Sequence, residues 1–405
     1  MKKFIIKYQA SEGSEDGDES LVSSTSKIKK TNMKKLRIAV LASNFIRIPP
    51  RSKDIPSQCS GAPEMMIHRI TEELVKRGHD VTLFASGDSK TKGKLISVTK
   101  KATGVDPKIG FIHGFSLPKI GYIPSSRFHE PYEYLLISKA YQLAKEGCFD
   151  VVHSHFDIST AYFAPLVKIP TVSTLHSPLK GTRAKILSYF KNSQYYVSIS
   201  NSQRKPLPDL NYIATIYHGL DLKKIPFGKF SENYLVFTGR IHPSKGVREA
   251  ILVAKKLKIP LILMGSHGNE SYWEEKIKPE IDGRKIIYKG FVEQKEMYKI
   301  IKKAIAYILP LQWEEPFGLT MIEAMACGTP VVTFDRGSAK EVVKDGKTGF
   351  VVKNVSEMVK AIKKIDEIKR ENCRAWVEKK FTIEKMVDDY EKIYYQISSF
   401  RRKRR

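Results

Sequence analysis

Cysteine is scarce in this chain of 405 residues. The four cysteines lie far apart and form no Cys-x-x-Cys pair; they are Cys59, Cys148, Cys327 and Cys373. Closely spaced pairs are typical of disulfide frameworks in secreted domains and of structural zinc sites. The pattern therefore argues against both and predicts a reducing, cytoplasmic location.

Long apolar runs are also missing. No run reaches the ~18–20 residues that a membrane-spanning helix needs. Near the start of the chain, Ile5 and Ile6 are too few to form the apolar region of a signal peptide. The hydrophobic content of 41% is that of an ordinary globular protein. Because the length exceeds the ~250–300 residues at which a single core stops growing, two domains are expected.

Acidic residues are outnumbered, 43 against 70 lysines and arginines, which gives a formal net charge of +27. Such an excess is compatible with nucleic-acid binding, with contact to an anionic membrane or substrate, or with a lysine-rich background that has no partner. Nucleic acid is the least favoured partner, because no RNA-binding motif of basic and aromatic residues occurs. The one compact basic block is the predicted tail 401–405, and the other two interpretations remain open.

Residues 1–32 are predicted to be a disordered tail. The stretch from Ser11 to Ser20 mixes acidic residues with Gly and Ser and offers little apolar surface to bury. Met33 is therefore a candidate start that competes with Met1. The only Asp-x-Asp pair, Asp16 and Asp18, lies in this tail. Its absence from the folded part argues against a catalytic metal, and no cofactor is expected.

From Met33 onward, short apolar runs alternate with amphipathic segments, which is typical of parallel sheets covered by helices. We predict an α/β protein with two Rossmann-like domains, 33–204 and 205–382, a linker near 202–210, and a closing helix at 383–400. Strands are predicted at 36–43, 80–85, 149–153, 171–175 and 195–200 in the first domain. The second domain is predicted to contain strands at 213–217, 235–238, 261–264, 285–288, 306–309, 331–334 and 350–352. A helix is predicted at 63–77, with Gly78 as its stop.

Two groups of residues fit a ligand that carries phosphate and sugar hydroxyls. Glu315 and Glu323 flank a Pro-Phe-Gly loop and the start of a helix predicted at 319–327, where free backbone N–H groups seat phosphate well. Arg240 follows a predicted strand through Gly239, and Lys245 precedes the next helix. These two cations emerge at the carboxyl edge of a parallel sheet, where open α/β sheets bind ligands.

These motifs resemble retaining, family-4-type glycosyltransferases (glycosyltransferase group 1). The resemblance rests on Glu315-x7-Glu323, on the segment 234–247 with its Gly-Arg turn and Lys-Gly helix start, and on the opening segments 33–41 and 77–86. It covers nearly the whole chain from Met33. It implies the GT-B fold, with two facing domains and an interdomain cleft, and a closing helix that crosses back to the first domain.

The resemblance also implies roles for individual residues. Glu323 is expected to bind the nucleotide ribose and Glu315 the donor sugar, while His176 faces that sugar from the first domain. The diphosphate is expected at the backbone N–H groups after Phe317, which belong to Gly318, Leu319 and Thr320. Gly61 is expected to approach the donor, although the family usually has two glycines where this chain has Ser60-Gly61-Ala62.

Several alternatives stay open at this stage. Glu314 is an alternative to Glu315 as the contact. His153 and His155 share one face of a strand, which suggests metal ligation, but no cluster of further ligands completes that site. A nucleotide-sugar epimerase or hydrolase of the same fold is the alternative function. The sequence identifies neither the sugar, nor the base, nor the acceptor, which is expected to be a sugar or a lipid.

Overall fold

The computed structural model describes residues 34–51, 55, 61–106, 116–117, 121–122 and 126–402. The predicted tail 1–32, the question of Met1 or Met33 as the start, Cys59 and the last three residues of the basic tail lie outside this part. The described residues from Leu36 onward form one compact unit.

Fifteen strands and twelve helices build the described part of the chain. The strands are β1 Arg37–Leu41, β2 Asp80–Phe84, β3 Lys94–Ile96, β4 Ser116–Leu117, β5 Gly121–Tyr122, β6 Val151–Ser154, β7 Thr171–Thr174, β8 Tyr195–Ser198, β9 Tyr212–Thr215, β10 Glu232–Thr238, β11 Leu261–Met264, β12 Ile286–Tyr288, β13 Ala304–Leu309, β14 Val331–Phe334 and β15 Gly349–Val352. The helices are α1 Ala62–Lys76, α2 Ser126–Lys145, α3 Gly181–Tyr189, α4 Asn201–Arg204, α5 Val247–Leu257, α6 Glu270–Tyr272, α7 Gln294–Ile301, α8 Leu319–Ala326, α9 Ala339–Val342, α10 Val355–Ile362, α11 Arg370–Lys380 and α12 Ile383–Arg402.

The strands form two large parallel sheets. The first has the order β3-β2-β1-β6-β7-β8-β9, and the second has the order β12-β11-β10-β13-β14-β15. In both sheets the chain moves outward in one direction and then returns to the other side of the first strand. The strand order therefore reverses between β1 and β6, and again between β10 and β13. Crevices at such reversal points, at the carboxyl ends of the strands, are where α/β sheets bind ligands.

The predicted α/β fold class with two sheets is confirmed. The strands are short and apolar because helices cover them; β6, β7 and β14, for example, are buried along their whole length. Helix α1 buries the apolar face that the sequence predicted, with Met66, Ile67, Ile70 and Leu74, and the chain turns away at Gly78. No helix of the described residues is long and apolar enough to cross a membrane.

One strand was assigned to the wrong sheet. The segment predicted at 213–217 as part of the second domain is β9, and it pairs in parallel with β8 in the first sheet. The break at Pro206 and Pro208, predicted as a linker, is a turn. Its Leu207 and Leu210 pack in a core beside the first sheet. The change of sheet lies between β9 and β10, so a boundary at 204 cuts the first sheet.

We call the part built around the first sheet the first half and the part built around the second sheet the second half. Helix α12 belongs to the core of the first half. It is reached from α11 through Phe381, whose carbonyl accepts a hydrogen bond of 2.8 Å from the Leu220 N–H in the segment that connects the two sheets. From there, Tyr390, Tyr394 and neighbouring apolar side chains of α12 pack with β1 and α1. The chain therefore passes between the two halves twice, at 216–231 and at 381–383.

Candidate active site

A cavity of about 540 Å³ lies between the two halves at the reversal points. The first half contributes residues of the β1–α1 loop and of α1: Pro50, Ile55, Gly61, Ala62, Met65, Met66 and Arg69. The second half contributes the ends of β10 and β11, the segment before and in α7, and the start of α8: Thr238, Gly239, Arg240, Met264, Gly265, Ser266, Phe291–Gln294, Met297, Leu319, Thr320 and Glu323. A cavity of this size holds a drug-sized organic ligand.

Glu323 is a buried carboxylate whose position is fixed by two donors. Its Oε1 accepts hydrogen bonds from the Tyr298 hydroxyl at 2.9 Å and from Gln294 Nε2 at 3.0 Å. Burial raises the pKa of Glu323, and the positive charge of Arg69 opposes that rise. The carboxylate is therefore held rigidly in the cavity wall, where it can accept hydrogen bonds from ligand hydroxyls.

The start of α8 faces the same cavity. Leu319 and Thr320, its first two residues, line the cavity one turn before Glu323. The N–H groups of a first helical turn have no partner within the helix, and the helix dipole makes this end attractive to anions. The elements thus bring an anion-binding helix end and a hydroxyl-binding carboxylate to one wall.

Arg240 and Gly239 lie on the opposite side of the reversal point, directly after β10. The backbone here is packed so closely that a Cβ added to Gly265 would lie 1.9 Å from the Gly239 carbonyl oxygen. Glycine at 265 lets β10 and β11 approach each other at the cavity wall. Arg240 thereby projects from a fixed backbone at the carboxyl edge of the sheet.

Lys245 and Glu315 form an ion pair with each other. The Lys245 ammonium donates to Glu315 Oε2, Trp313 Nε1–H donates to the same oxygen at 2.9 Å, and Lys245 Nζ lies 4.8 Å from the centre of the Trp313 ring. The pair joins the loops that follow β10 and β13. Neither side chain lines the 540 Å³ cavity, and neither do His176, Phe317 or Gly318.

The structure separates the two adjacent glutamates. Glu315 is buried, with 8% of its surface exposed, while the side chain of Glu314 is 67% exposed. Glu314 Oε2 accepts the Gly337 N–H at 2.6 Å, and Glu314 points toward Arg336. Of the two, Glu315 is therefore the one that is turned inward toward Lys245.

Gly61 lines the cavity as the N-cap of α1. Its φ of 65° lies in the left-handed region, and a Cβ there would come within 2.6 Å of Ile55 Cδ1. A single glycine is enough to bring the loop against the cavity, because the following Ala62 is already the first residue of the helix.

The family follows from sequence comparison. The family described as "Glycosyltransferase Family 4" matches residues 63–224, and the one described as "Glycosyl transferases group 1" matches residues 223–381. The two matches overlap at residues 223 and 224 and include residues of both walls of the cavity. The chain belongs to these glycosyltransferases. The resemblance seen in its motifs is thereby confirmed, and so is the assignment as an enzyme.

Relatives and solved structures agree with this assignment. The chain is 25% identical over 372 residues to N-acetyl-alpha-D-glucosaminyl L-malate synthase of Bacillus anthracis. The alignment covers 81% of this chain and 92% of the relative. It is 25% identical over 352 residues to glycogen synthase of Mycobacterium tuberculosis, covering 75% and 81%.

Two solved structures share its GT-B fold. Sucrose-phosphate synthase of Thermosynechococcus elongatus has a TM-score of 0.67 at 18% identity, covering 90% of this chain and 100% of the other. HepE of Anabaena in complex with UDP-glucose has a TM-score of 0.63 at 17% identity, covering 89% and 100%.

His176 of the glycosyltransferase stands in a row of three histidines, of which His155 and His176 are half-buried and His218 is buried. Its backbone N–H donates to Asp157 Oδ1 at 3.0 Å, and its Nε2 lies 2.9 Å from His155 Nδ1. On its other side it stacks on His218 at 5.6 Å, and His218 meets Phe317 edge-on at 5.2 Å. Burial lowers the pKa of all three histidines. The row connects the end of β7 with the Pro-Phe-Gly loop of the second half.

The metal-ligation alternative for His153 and His155 finds no support. Both ring nitrogens of His153 have partners, since Nε2 lies 2.8 Å from Thr174 Oγ1 and Nδ1 lies 2.6 Å from the Tyr394 hydroxyl. Among the described residues, no group of three or more His, Cys, Asp or Glu side chains is placed to hold a metal ion. His153 therefore has a structural role beneath α12.

Sequence reasoning missed several polar residues of the cavity, among them Arg69 and Gln294. Arg69 could have been found, because Ala62, Met65, Met66 and Arg69 recur at helical spacing after Gly61 and form one face of α1. Gln294 had no such signal, since α7 is far from the motifs along the chain. Only the packing of α7 against α8 brings its amide to Glu323.

Proposed function

We propose that this glycosyltransferase moves a sugar from a nucleoside diphosphate donor to an acceptor hydroxyl, with retention of the anomeric configuration. The observation that carries the proposal is the convergence of Arg240, the start of α8 and the buried carboxylate of Glu323 on one cavity. A diphosphate needs cations and N–H donors, and a ribose needs a fixed acceptor, so the three together match a nucleoside diphosphate.

In the proposed complex, Glu323 accepts the ribose hydroxyls, while Arg240 and the N–H groups of Leu319 and Thr320 bind the diphosphate. Gly61 and Gly239 let the backbone of each half come close to the donor. The sugar points toward the Lys245–Glu315 pair and His176. As the diphosphate leaves, Lys245 shares its charge with the departing oxygens, which are stabilised more strongly in the transition state than in the bound donor.

Retention is proposed from the resemblance to retaining, family-4-type glycosyltransferases. Two carboxylates beside the site are already engaged, since Glu315 is tied to Lys245 and Trp313, and Asp157 accepts the His176 N–H and lies 3.2 Å from Arg183. In the proposed mechanism neither acts as a covalent nucleophile, and the acceptor oxygen attacks the sugar carbon from the face of the leaving group. The bond between that carbon and the phosphate oxygen breaks, its electron pair stays on the diphosphate, and the acceptor proton passes to the departing oxygen.

The donor, the acceptor and the location are further parts of the proposal. Since HepE of Anabaena was solved with UDP-glucose, UDP-sugars are the first donors to examine. We expect a sugar or a lipid as the acceptor, no nucleic acid, and a cytoplasmic protein that contacts anionic membrane peripherally through the basic tail 401–405. No cofactor and no metal are expected, because Arg240, Lys245 and α8 supply the positive charge.

A thermal-shift screen of UDP-, GDP- and ADP-sugars tests the proposal. Binding raises the stability of the folded state by mass action, by ~2.7 kcal/mol at a ligand concentration of 100 times Kd. We expect one nucleotide series to raise Tm in the native protein and to fail in a Glu323→Ala variant. If no nucleotide raises the Tm of the native protein, the proposed donor site is wrong.

An activity assay then separates transfer from the alternative chemistry. Release of nucleoside diphosphate that requires an acceptor, with the α-anomer of the donor giving an α-linked product, is the expected result. Consumption of the donor in the absence of any acceptor would indicate a nucleotide-sugar epimerase or hydrolase instead.

A further inference from the structure

A second cavity, of about 320 Å³, lies on another face of α7. Gln294 and Met297 of this helix face the donor cavity, whereas Lys295 and Lys299 face the second one. Five lysines line it together with Ile225 and Pro226; they are Lys223, Lys224, Lys295, Lys299 and Lys302. We name this the lysine cavity.

The charges in the lysine cavity are only partly balanced. Lys224 pairs with Asp221 at 3.1 Å and Lys299 with Glu296 at 2.6 Å, each three residues away on the same turn. In the described part of the chain, the ammonium groups of Lys223, Lys295 and Lys302 have no carboxylate within ion-pair distance. Like charges around one hollow repel each other, and a bound anion removes this repulsion.

Hydrogen bonds from two arginines of α11 hold part of the backbone that carries these lysines. Arg374 of α11 donates to the Ile225 carbonyl at 3.1 Å and to the Leu222 carbonyl at 3.2 Å. Arg370 donates to the Lys302 carbonyl at 2.6 Å. The lysines therefore project from fixed points rather than from a loose loop, and less conformational freedom is lost when a ligand binds.

We propose that the lysine cavity is a binding site for a phosphate group, separate from the donor cavity. A phosphate carries up to two charges and three oxygens that accept hydrogen bonds, which matches three unpaired ammonium groups that each have three donors. The concave shape fits a group of the size of a phosphorylated sugar or a lipid headgroup. These two sources share the same chemistry at the site.

The site has a defined place in the molecule. Lys223 and Lys224 lie on the segment between β9 and β10, where the chain passes from one sheet to the other. Lys295 and Lys299 lie on α7, whose Gln294 holds Glu323. A phosphate in the lysine cavity joins the connecting segment to the helix that supports the donor site.

Isothermal titration calorimetry with inorganic pyrophosphate tests the proposal on the full chain. The double variant Lys295→Ala/Lys302→Ala should bind ~10–100-fold more weakly, which is about 1.4–2.8 kcal/mol for the two contacts together, because water screens charges at the surface. The matched control Lys360→Ala/Lys363→Ala removes two exposed lysines of α10 and its end, and it should bind like the native protein. Both changes lower the net charge equally.

Pyrophosphate also fits the donor cavity, so Arg240→Ala is measured in parallel. Loss of binding in Arg240→Ala alone, with the lysine variant unchanged, would assign the binding to the donor site and overturn the lysine cavity. The nucleotide screen tests the donor-site proposal separately. Either of the two proposals can therefore be wrong while the other is right.

Sedimentation with vesicles of phosphatidic acid in phosphatidylcholine distinguishes the two sources. Weaker vesicle binding by the lysine variant than by its matched control supports a lipid headgroup. An effect on pyrophosphate alone supports a soluble phosphorylated ligand. If the lysine variant binds pyrophosphate as the control does, while both unfold cooperatively, the proposal is wrong whatever the vesicle result.

Discussion

At the scale of single residues, the candidate site consists of charges that are already engaged before a donor arrives. Glu323 is held by Tyr298 and Gln294, and Glu315 is held by Lys245 and Trp313. Fixed partners limit the reorganisation that binding and reaction require, which is the main source of electrostatic stabilisation in enzymes. Lys245 in turn has a buried carboxylate partner, Glu315, that depends on it.

The variants Arg240→Ala and Lys245→Met should both lose activity, and Lys245→Met should lose stability as well. We expect both to slow transfer on the order of 10²-fold, because each removes a charge that stabilises the leaving diphosphate. Lys245→Met also leaves the buried Glu315 without its partner, which should lower the free energy of unfolding by about 1–3 kcal/mol. Urea unfolding and steady-state kinetics measure the two effects.

A compensating variant serves as the control. Glu315→Gln combined with Lys245→Met removes both charges, so the free energy of unfolding should recover while transfer stays slow. Native-like kinetics in both single variants would remove Arg240 and Lys245 from the mechanism.

At the scale of helices and strands, local sequence signals predicted most of the elements that build the cavity. The helix before Gly78, the strand before Gly239 and the helix between Gly318 and Gly328 have glycines at their ends and apolar residues at regular spacing. The strand β9 was assigned to the wrong sheet for the opposite reason. Pro206 and Pro208, which precede it, are typical of a linker. Only the packing of Leu207 and Leu210 shows that the chain returns to the first sheet.

The histidine row and Gln294 could not be predicted either, because they depend on contacts between elements that are distant along the chain. His153 and Tyr394 are 241 residues apart. Burial lowers the pKa of His153 to about 3 and raises that of the Tyr394 hydroxyl, so the ring is neutral and the hydroxyl keeps its proton. The hydroxyl then donates to Nδ1, and Nε2–H donates to Thr174 Oγ1. This hydrogen bond fixes α12 on the first sheet.

Tyr394→Phe should consequently lower the free energy of unfolding by about 1–3 kcal/mol. The ring and its packing remain, but the buried Nδ1 of His153 loses its donor, and an unpaired buried polar atom carries the full cost of leaving water. Tyr189→Phe removes the hydroxyl of a tyrosine that is 86% exposed, and it should change nothing. The midpoints of urea unfolding measure both, and equal midpoints would mean that the hydrogen bond does not hold the helix.

At the scale of the whole molecule, two halves meet around the cavity and each supplies charge to it. The positive groups of the donor site come from the protein, and the folded part of the sequence has no Asp-x-Asp pair. We therefore expect transfer to persist in excess EDTA, measured as acceptor-dependent release of nucleoside diphosphate after the protein has been dialysed against the chelator. Complete loss that manganese or magnesium restores would show that a divalent ion shares the neutralisation of the diphosphate.

The row of histidines and the neighbouring His153 give the molecule a second property, a dependence of stability on pH. His153 and His218 are buried, His155 and His176 are half-buried, and the burial lowers the pKa of each. In the unfolded chain a histidine has a pKa of about 6.5. Below that pH the unfolded state binds more protons than the folded state does, so protonation favours unfolding.

Stability should therefore be complete above about pH 6.5 and fall as the pH decreases toward the lowered pKa values of the folded state. Each buried histidine contributes a slope of up to about 1.4 kcal/mol per pH unit. The carboxylates of Glu64, Glu133 and Glu323 oppose this change, because burial raises their pKa values and their protonation favours the folded state. The contribution of one histidine is therefore measured by comparing a variant with the native protein. His218→Gln should reduce the slope of the free energy of unfolding against pH, as measured by urea unfolding, because it removes one titrating group. A native slope in His218→Gln would mean that the buried ring accepts a proton without unfolding.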